Sequence, residues 1–287
     1  MAERVYINGQ LVPRGRAKVS ALDHGFLYGY GAFETMRSYG GRLFRLESRL
    51  DRLSFSLKRL GIPLALSRDE LAAALYRTLE ANGLQEARVR LTVSAGEGEA
   101  APEPVPSSPT VVITAQPFTA PPPEAYRRGY SAVFYPFPVL SCSPLRGVKS
   151  TNRLPLVLAR RWAREAGAEE ALLLNEMGSL VEASNANLFL VIGERLVTPH
   201  EASGPLPGVT RGVVLELARG WGVPCKEREV RPEELSGASE AFLTSSLLEV
   251  MPLTRVEGRP LGGGEASELS LRLLDAYRER VAAEKSQ

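Results

Sequence analysis

Apolar residues recur along the chain with two different periods, and the switches between them divide it into elements. Val5-Tyr6-Ile7 and Gln10-Leu11-Val12 flank Asn8-Gly9, a dipeptide that accepts the positive φ angles of a tight two-residue turn, which predicts a hairpin. Leu46, Leu50, Leu53, Leu57 and Leu60 repeat every three or four positions; this spacing predicts an amphipathic helix over 46–60, ended by Gly61. Ser67-Arg68-Asp69-Glu70 places a serine and a glutamate to bond each other's backbone N–H groups, a capping box that opens a second helix running to Gly83. Polar and apolar side chains then alternate strictly from Arg88 to Val93, as in a strand with one buried face, and Thr110 to Thr114 reads as a further strand.

Residues 118–126 lie in a proline-rich stretch without periodicity, stiff enough to serve as a linker. Beyond it, short apolar runs at Ala132–Phe134, Ala171–Leu174, Asn187–Val191 and Ala241–Phe242–Leu243 are interleaved with helical patterns at 154–166, 209–220 and 265–284. This order predicts a small α+β domain over 1–117 and a larger mixed α/β domain over 127–287, the latter not doubly wound.

Composition narrows the function classes. A net charge of +2 is too small for a nucleic-acid surface. Two cysteines and two histidines without metal-ligand spacing make neither a disulfide framework nor a metal site. No apolar run reaches the length of a membrane span, and the first six residues lack the apolar core of a signal peptide, so a cytoplasmic protein is expected. Gly29-Tyr30-Gly31 lacks the third glycine and the strand-to-helix setting of a dinucleotide loop.

The chemistry concentrates between Glu182 and Arg211. Glu182-x-Ser184-x-x-Asn187-Leu188-Phe189 is followed by Leu196-Val197-Thr198 and then by Leu206-Pro207-Gly208-Val209-Thr210-Arg211. The pattern resembles the signature of the class IV aminotransferases, the fold-type IV enzymes that use pyridoxal phosphate, and the resemblance runs from Tyr6 to about Arg259. It implies that Glu182 faces the pyridine nitrogen. A carboxylate there keeps the ring protonated, and a protonated ring is the electron sink for a substrate carbanion. Lys149, 33 residues before Glu182, matches the lysine whose amine joins the cofactor aldehyde and moves protons, a role open only to a primary amine. Val209 and Thr210 open a helix whose N-terminus suits a phosphate. Arg52 matches the family's phosphate arginine, and Ser245 and Ser246 match small hydroxyl residues that serve phosphate and substrate carboxylate.

For the substrate, the resemblance points to Tyr28, Phe33 and Thr35 in the stretch from His24 to Arg37, and to Leu247. Read without the motif, the aromatic pair is core packing and Lys149 an ordinary solvated lysine. Three activities dominate the family: branched-chain transamination, D-amino acid transamination, and lysis of 4-amino-4-deoxychorismate to 4-aminobenzoate and pyruvate. Phe33-Glu34-Thr35 and Lys149-Ser150-Thr151-Asn152-Arg153-Leu154 are most similar to the lyases; for that reaction Thr35 would be a hydrogen-bond partner for the leaving group. Ala95-Gly96-Glu97-Gly98-Glu99 departs from the arginine-containing continuation of many lyases, so a dicarboxylate would draw its cations from Arg90, Arg146 or Arg153. The favoured expectation is aminodeoxychorismate lyase. The alternatives are an aminotransferase of branched-chain or D-amino acids or small hydrophobic amines, and a cofactor-binding homologue without turnover, against which the joint presence of Lys149, Glu182, Arg52 and Thr210 argues. The partners implied are a small-molecule amine and a second copy of the chain in a homodimer.

Overall fold

The structure, a computed structural model, describes residues 3–98, 104–106 and 108–285. They fall into two compact units. The first comprises the described residues up to Thr119, Val148–Arg153, and Glu284 with Lys285; the second comprises Ala120–Gly147 and Leu154–Ala283.

In the first unit β1 (Arg4–Ile7) and β2 (Gln10–Pro13) form the hairpin, with Asn8 at φ 44° and Gly9 at φ 94°. The five-residue α1 (His24–Tyr28) leads into β3 (Gly31–Tyr39) and β4 (Arg42–Leu43), followed by α2 (Leu46–Arg59) and α3 (Arg68–Ala81), the latter with the capping box of Ser67 and Glu70 in place. The strands β5 (Ala87–Ser94) and β6 (Thr110–Pro117) complete an antiparallel sheet in the order β2-β1-β6-β5-β3-β4. Leu50, Leu53 and Leu57 of α2 and Leu71, Leu75 and Leu79 of α3 share a core with Met36, Val89, Leu91 and Ile113.

The strand β3 carries no alternation legible in the sequence, because all of its residues except the partly exposed Thr35 and Tyr39 are buried, on whichever face they lie. The period of two still sorts its side chains. Glu34 and Met36 lie on the face that carries the helix-packed core, so Phe33 and Thr35 lie on the other, with Arg90 and Thr92 of β5 opposite them in register.

Val148–Arg153 arrives from far along the chain and docks by its backbone. Phe33 N–H donates to the Lys149 carbonyl at 2.9 Å, Thr151 N–H to the Gly31 carbonyl at 2.9 Å, and Lys149 N–H to the Ser56 hydroxyl at 3.2 Å. These bonds, invisible to any local pattern, place Lys149 in the first unit, whereas a division by chain position alone assigns residues 127–287 to one domain.

The second unit opens in the proline-rich stretch. Residues 118–126 read as an irregular linker, but α4 (Pro123–Arg128) begins within them. Pro123 stands at the first helical position, where a missing N–H removes no bond and the fixed φ favours the helix. Then follow β7 (Tyr130–Phe134), α5 (Leu154–Glu165), β8 (Glu170–Leu174), β9 (Leu180–Ala183), β10 (Asn187–Ile192), β11 (Arg195–Pro199), α6 (Val209–Gly220), β12 (Cys225–Arg228), β13 (Glu240–Ser245), β14 (Glu249–Val256), β15 (Arg259–Pro260) and α7 (Glu268–Lys285). The strands build one mixed sheet, β12-β11-β10-β13-β14-β7-β8-β9 with β15 on β14, parallel only at β11–β12, β14–β7 and β7–β8. Its centre is apolar on both faces: Leu188, Phe189 and Leu190 of β10 are buried, and the Phe189 ring stacks on Phe242 at 5.0 Å. No helix among the described residues is long and apolar enough to cross a membrane, and no cluster of metal-binding side chains occurs among them.

Candidate active site

The expected site residues fall into two groups, one in each unit. In the first, Phe33 is the centre. The Arg90 guanidinium carbon lies 3.7 Å from the centroid of its ring, the Lys149 Nζ 5.0 Å and the Arg153 guanidinium carbon 5.6 Å. The ring face attracts cations, which accounts for three of them meeting on one side chain. Arg90 shows what this crowding costs: burial, and then the charges of Arg88 and Arg153, lower its pKa to about 10. Its Nε donates to the Thr92 hydroxyl at 3.1 Å.

Thr35 stands opposite Arg90 in the β3–β5 register, and its backbone carbonyl accepts from Nη1 of the buried Arg49 at 3.1 Å. Tyr28 ends α1 on the exposed surface of this unit, its ring 5.7 Å from that of His24. Arg52 is not the exposed helical arginine that its place among leucines would also allow. It is 9% exposed, and its Nε and Nη2 donate to the two carboxylate oxygens of Glu34, each at 2.8 Å, while Glu34 is wholly buried. Glu34 thus fixes the plane of the guanidinium.

In the second unit Glu182 leaves β9 beside the start of β10. Its Oε2 accepts from Asn187 Nδ2 at 3.1 Å and from the Leu206 N–H at 3.1 Å, and Asn187 Nδ2 also donates to the Leu206 carbonyl at 2.8 Å. Beneath this loop the Ser184 hydroxyl donates to the buried Glu170, whose other oxygen accepts from Arg160; burial pushes the Glu170 carboxyl upward against the opposing pull of Arg160 and Ser184.

Gly208 caps α6 without a side-chain hydrogen bond, so the first-turn N–H groups of the helix receive no side-chain acceptor from the cap residue. Thr210 sits in that turn, 3% exposed, with a buried hydroxyl that has no partner among the described residues. Thr244, on β13 opposite Asn187, has a second such hydroxyl. Two orphaned buried hydroxyls and an uncapped helix start are what an anion such as a phosphate would satisfy, so these residues fit pyridoxal phosphate. The terminal residue of the motif serves the fold instead. Arg211 donates to Thr198 Oγ1, the Pro199 carbonyl and Glu227, holding α6 against β11. Ser245 ends β13, where its hydroxyl oxygen accepts the Leu248 N–H at 3.2 Å across the turn that carries Ser246 and Leu247.

Asn187, Glu34 and Arg49 were not singled out from the sequence. Asn187 is a fixed position of the motif, so a signal for it existed. Glu34 stands within Phe33-Glu34-Thr35, but nothing there marks its pairing, since its partner lies 18 residues away in another element.

The family profile of the class IV amino-transferases matches residues 31–256. A Methanocaldococcus jannaschii protein provisionally named a branched-chain-amino-acid aminotransferase is 35% identical over 278 residues, 96% of each chain. The aminodeoxychorismate lyase of Bacillus subtilis is 33% identical over 307 residues, covering 96% of this chain and 94% of its own. Among solved structures, a T.th. branched-chain amino acid aminotransferase with pyridoxamine 5'-phosphate is similar with a TM-score of 0.91 and 30% identity, over 97% of this chain and 94% of that one. The chain belongs to the class IV aminotransferases, the fold-type IV enzymes whose cofactor is pyridoxal phosphate.

Proposed function

We propose that this protein is an aminotransferase that moves an amino group between an amino acid and an oxo acid, rather than the lyase favoured by the motifs around Thr35 and Arg153. The observation that carries the reading is the gathering of Arg90 and Arg153 on the Phe33 ring beside Lys149. Burial first, and then the charges of Arg88 and Arg153, lower the Arg90 pKa to about 10, and cations gathered in a half-buried place call for an anionic ligand next to the reacting amine. Amino acids and oxo acids both bring a carboxylate, whereas a plain hydrophobic amine does not. 4-Amino-4-deoxychorismate brings carboxylates as well, so the gathering favours an amino acid over a simple amine, and the choice of transfer over lysis is supported by the aminotransferase relatives.

The bound cofactor supplies the aldehyde that takes up the amino group and the electron sink that makes the neighbouring carbon acidic. Lys149 Nζ removes the proton from the amine-bearing carbon and returns it on the other side of the exchange. Glu182 keeps the ring nitrogen protonated, Arg52, Val209 and Thr210 hold the phosphate, and Ser245, Ser246 and Leu247 line the substrate with Tyr28, Phe33 and Thr35. A homodimer is the proposed assembly.

Incubating the holoenzyme with L- or D-amino acids and no acceptor tests the reading: the cofactor converts to its amine form with release of one oxo acid per site. Lys149→Ala abolishes this conversion, and Arg90→Met weakens amino acid and oxo acid binding by about ten- to a hundredfold, the loss of a charged hydrogen bond. Release of pyruvate and 4-aminobenzoate from 4-amino-4-deoxychorismate without any acceptor would instead establish the lyase, which the Bacillus subtilis relative keeps as the second reading.

A further inference from the structure

We infer that Asn187 is a positioning residue that holds the Glu182 carboxylate ionised and aimed, and ties it to the turn that leads into α6; the inference rests on the cofactor assignment above. Asn187 is 6% exposed and stands at the first position of β10. One nitrogen, Nδ2, serves two acceptors, Glu182 Oε2 at 3.1 Å and the Leu206 carbonyl at 2.8 Å, which use the two hydrogens that an amide has to give. The Leu206 N–H closes the ring on the same carboxylate oxygen at 3.1 Å. Glu182 Oε2 therefore receives two donors from groups that hold each other.

Two consequences follow from the chemistry. Donors fixed on a carboxylate oxygen favour its charged form, and a charged carboxylate in a fixed direction is what keeps a ring nitrogen protonated. The same amide also anchors Leu206, two residues before Gly208, the cap of α6. Asn187 Oδ1 fills the space on that cap: a Cβ built on Gly208 would stand 1.9 Å from it. One side chain thus sets both the partner of the ring nitrogen and the backbone that presents the first turn of α6, where the Thr210 hydroxyl lacks a partner among the described residues. Only an amide does both. An aspartate has the same outline but offers acceptors where two acceptors already wait, and a leucine offers no donor at all.

This makes the order of two substitutions diagnostic. If Asn187 merely fills volume, the isosteric Asn187→Asp is milder than Asn187→Ala. If it acts as a donor pair, aspartate is the worse of the two, because it sets a second carboxylate against Glu182 and a third acceptor against the Leu206 carbonyl.

The test is titration of the full-length apoprotein with pyridoxal phosphate, followed by cofactor absorbance and protein fluorescence, with near-ultraviolet circular dichroism as the check on folding. Asn187→Ala is expected to weaken binding about tenfold or more, the worth of a hydrogen bond to a charged group. Asn187→Asp is expected to weaken it further, and both variants alter the absorption spectrum of the bound cofactor. Should the alanine chain fail to fold, Asn187→Ser takes its place with the same expected order. Binding within about twofold of the wild type in both variants, or an aspartate milder than alanine or serine, would overturn the inference. A wild-type protein that takes up no pyridoxal phosphate would instead bring down the cofactor assignment, a failure separate from the order of the variants.

Discussion

Glu34→Ala isolates the pair that holds Arg52. In the folded protein Glu34 is completely buried and Arg52 is 9% exposed, joined by two hydrogen bonds of 2.8 Å. Removing the carboxylate leaves a guanidinium enclosed without its counter-charge, and breaking a buried pair from one side costs about 3–5 kcal/mol. Against a total stability of about 5–15 kcal/mol this is a large fraction, and for a chain of this size it lowers the Tm by about 2–4 °C per kcal/mol. A companion variant separates charge from packing. Glu34→Leu with Arg52→Met replaces the whole pair by apolar groups of similar volume, which is often neutral or stabilising. The apoprotein should therefore regain most of its stability in the double variant, while the extra stability conferred by added pyridoxal phosphate should fall, because Arg52, proposed above to hold the phosphate, is gone. Thermal unfolding of each apoprotein, with and without the cofactor, measures both quantities. The reasoning is refuted if Glu34→Ala costs less than about 1 kcal/mol, the range of an exposed ion pair, or if the double variant is no more stable than the single one.

Thr210→Val removes a buried hydroxyl that has no partner among the described residues, so apoprotein stability should hold or rise by up to about 1 kcal/mol. Pyridoxal phosphate affinity should fall about tenfold; a drop in apoprotein Tm with unchanged affinity would mean the hydroxyl is structural. Glu234→Gln probes acid stability. The hydrogen bonds from Arg228 hold the Glu234 carboxyl below its usual range, against an opposing effect of burial. A carboxyl whose folded pKa is depressed contributes stability that is present above its unfolded value and is lost as pH falls through the folded one. The wild type should thus lose more stability than Glu234→Gln between neutral pH and the acid side of the carboxylate range, as read from urea midpoints at each pH. Equal slopes would show that the pair contributes nothing.

Much of the fold follows from short-range signals. The helix over 209–220 was legible to the residue because the apolar period and Gly208 mark its start, and the capping box marked the start of α3. Strand β3 escaped because burial on both faces erases alternation, and α4 escaped because proline reads equally as linker and as first helical residue. Among the candidate residues, Lys149, Glu182 and Thr210 are marked by the spacing of a motif. The residues that brace Arg52 and Thr35 within the first unit, Glu34 and Arg49, are not, since their pairings run between β3 and α2 and leave no periodic trace.

Family membership and cofactor are therefore written in the linear chain, because each depends on residue types at set separations. The ionic surroundings of Lys149 are not. Arg90 and Arg153 lie 63 residues apart in the chain and meet on the Phe33 ring only because Val148–Arg153 bonds along β3, and Asn187 commands Glu182 and Leu206 only once β9, β10 and the start of α6 are folded together. Charge and hydrogen bonding act through space over a few ångströms, so which cations crowd one another and which donors meet a given carboxylate is settled by tertiary contacts that no local sequence pattern encodes.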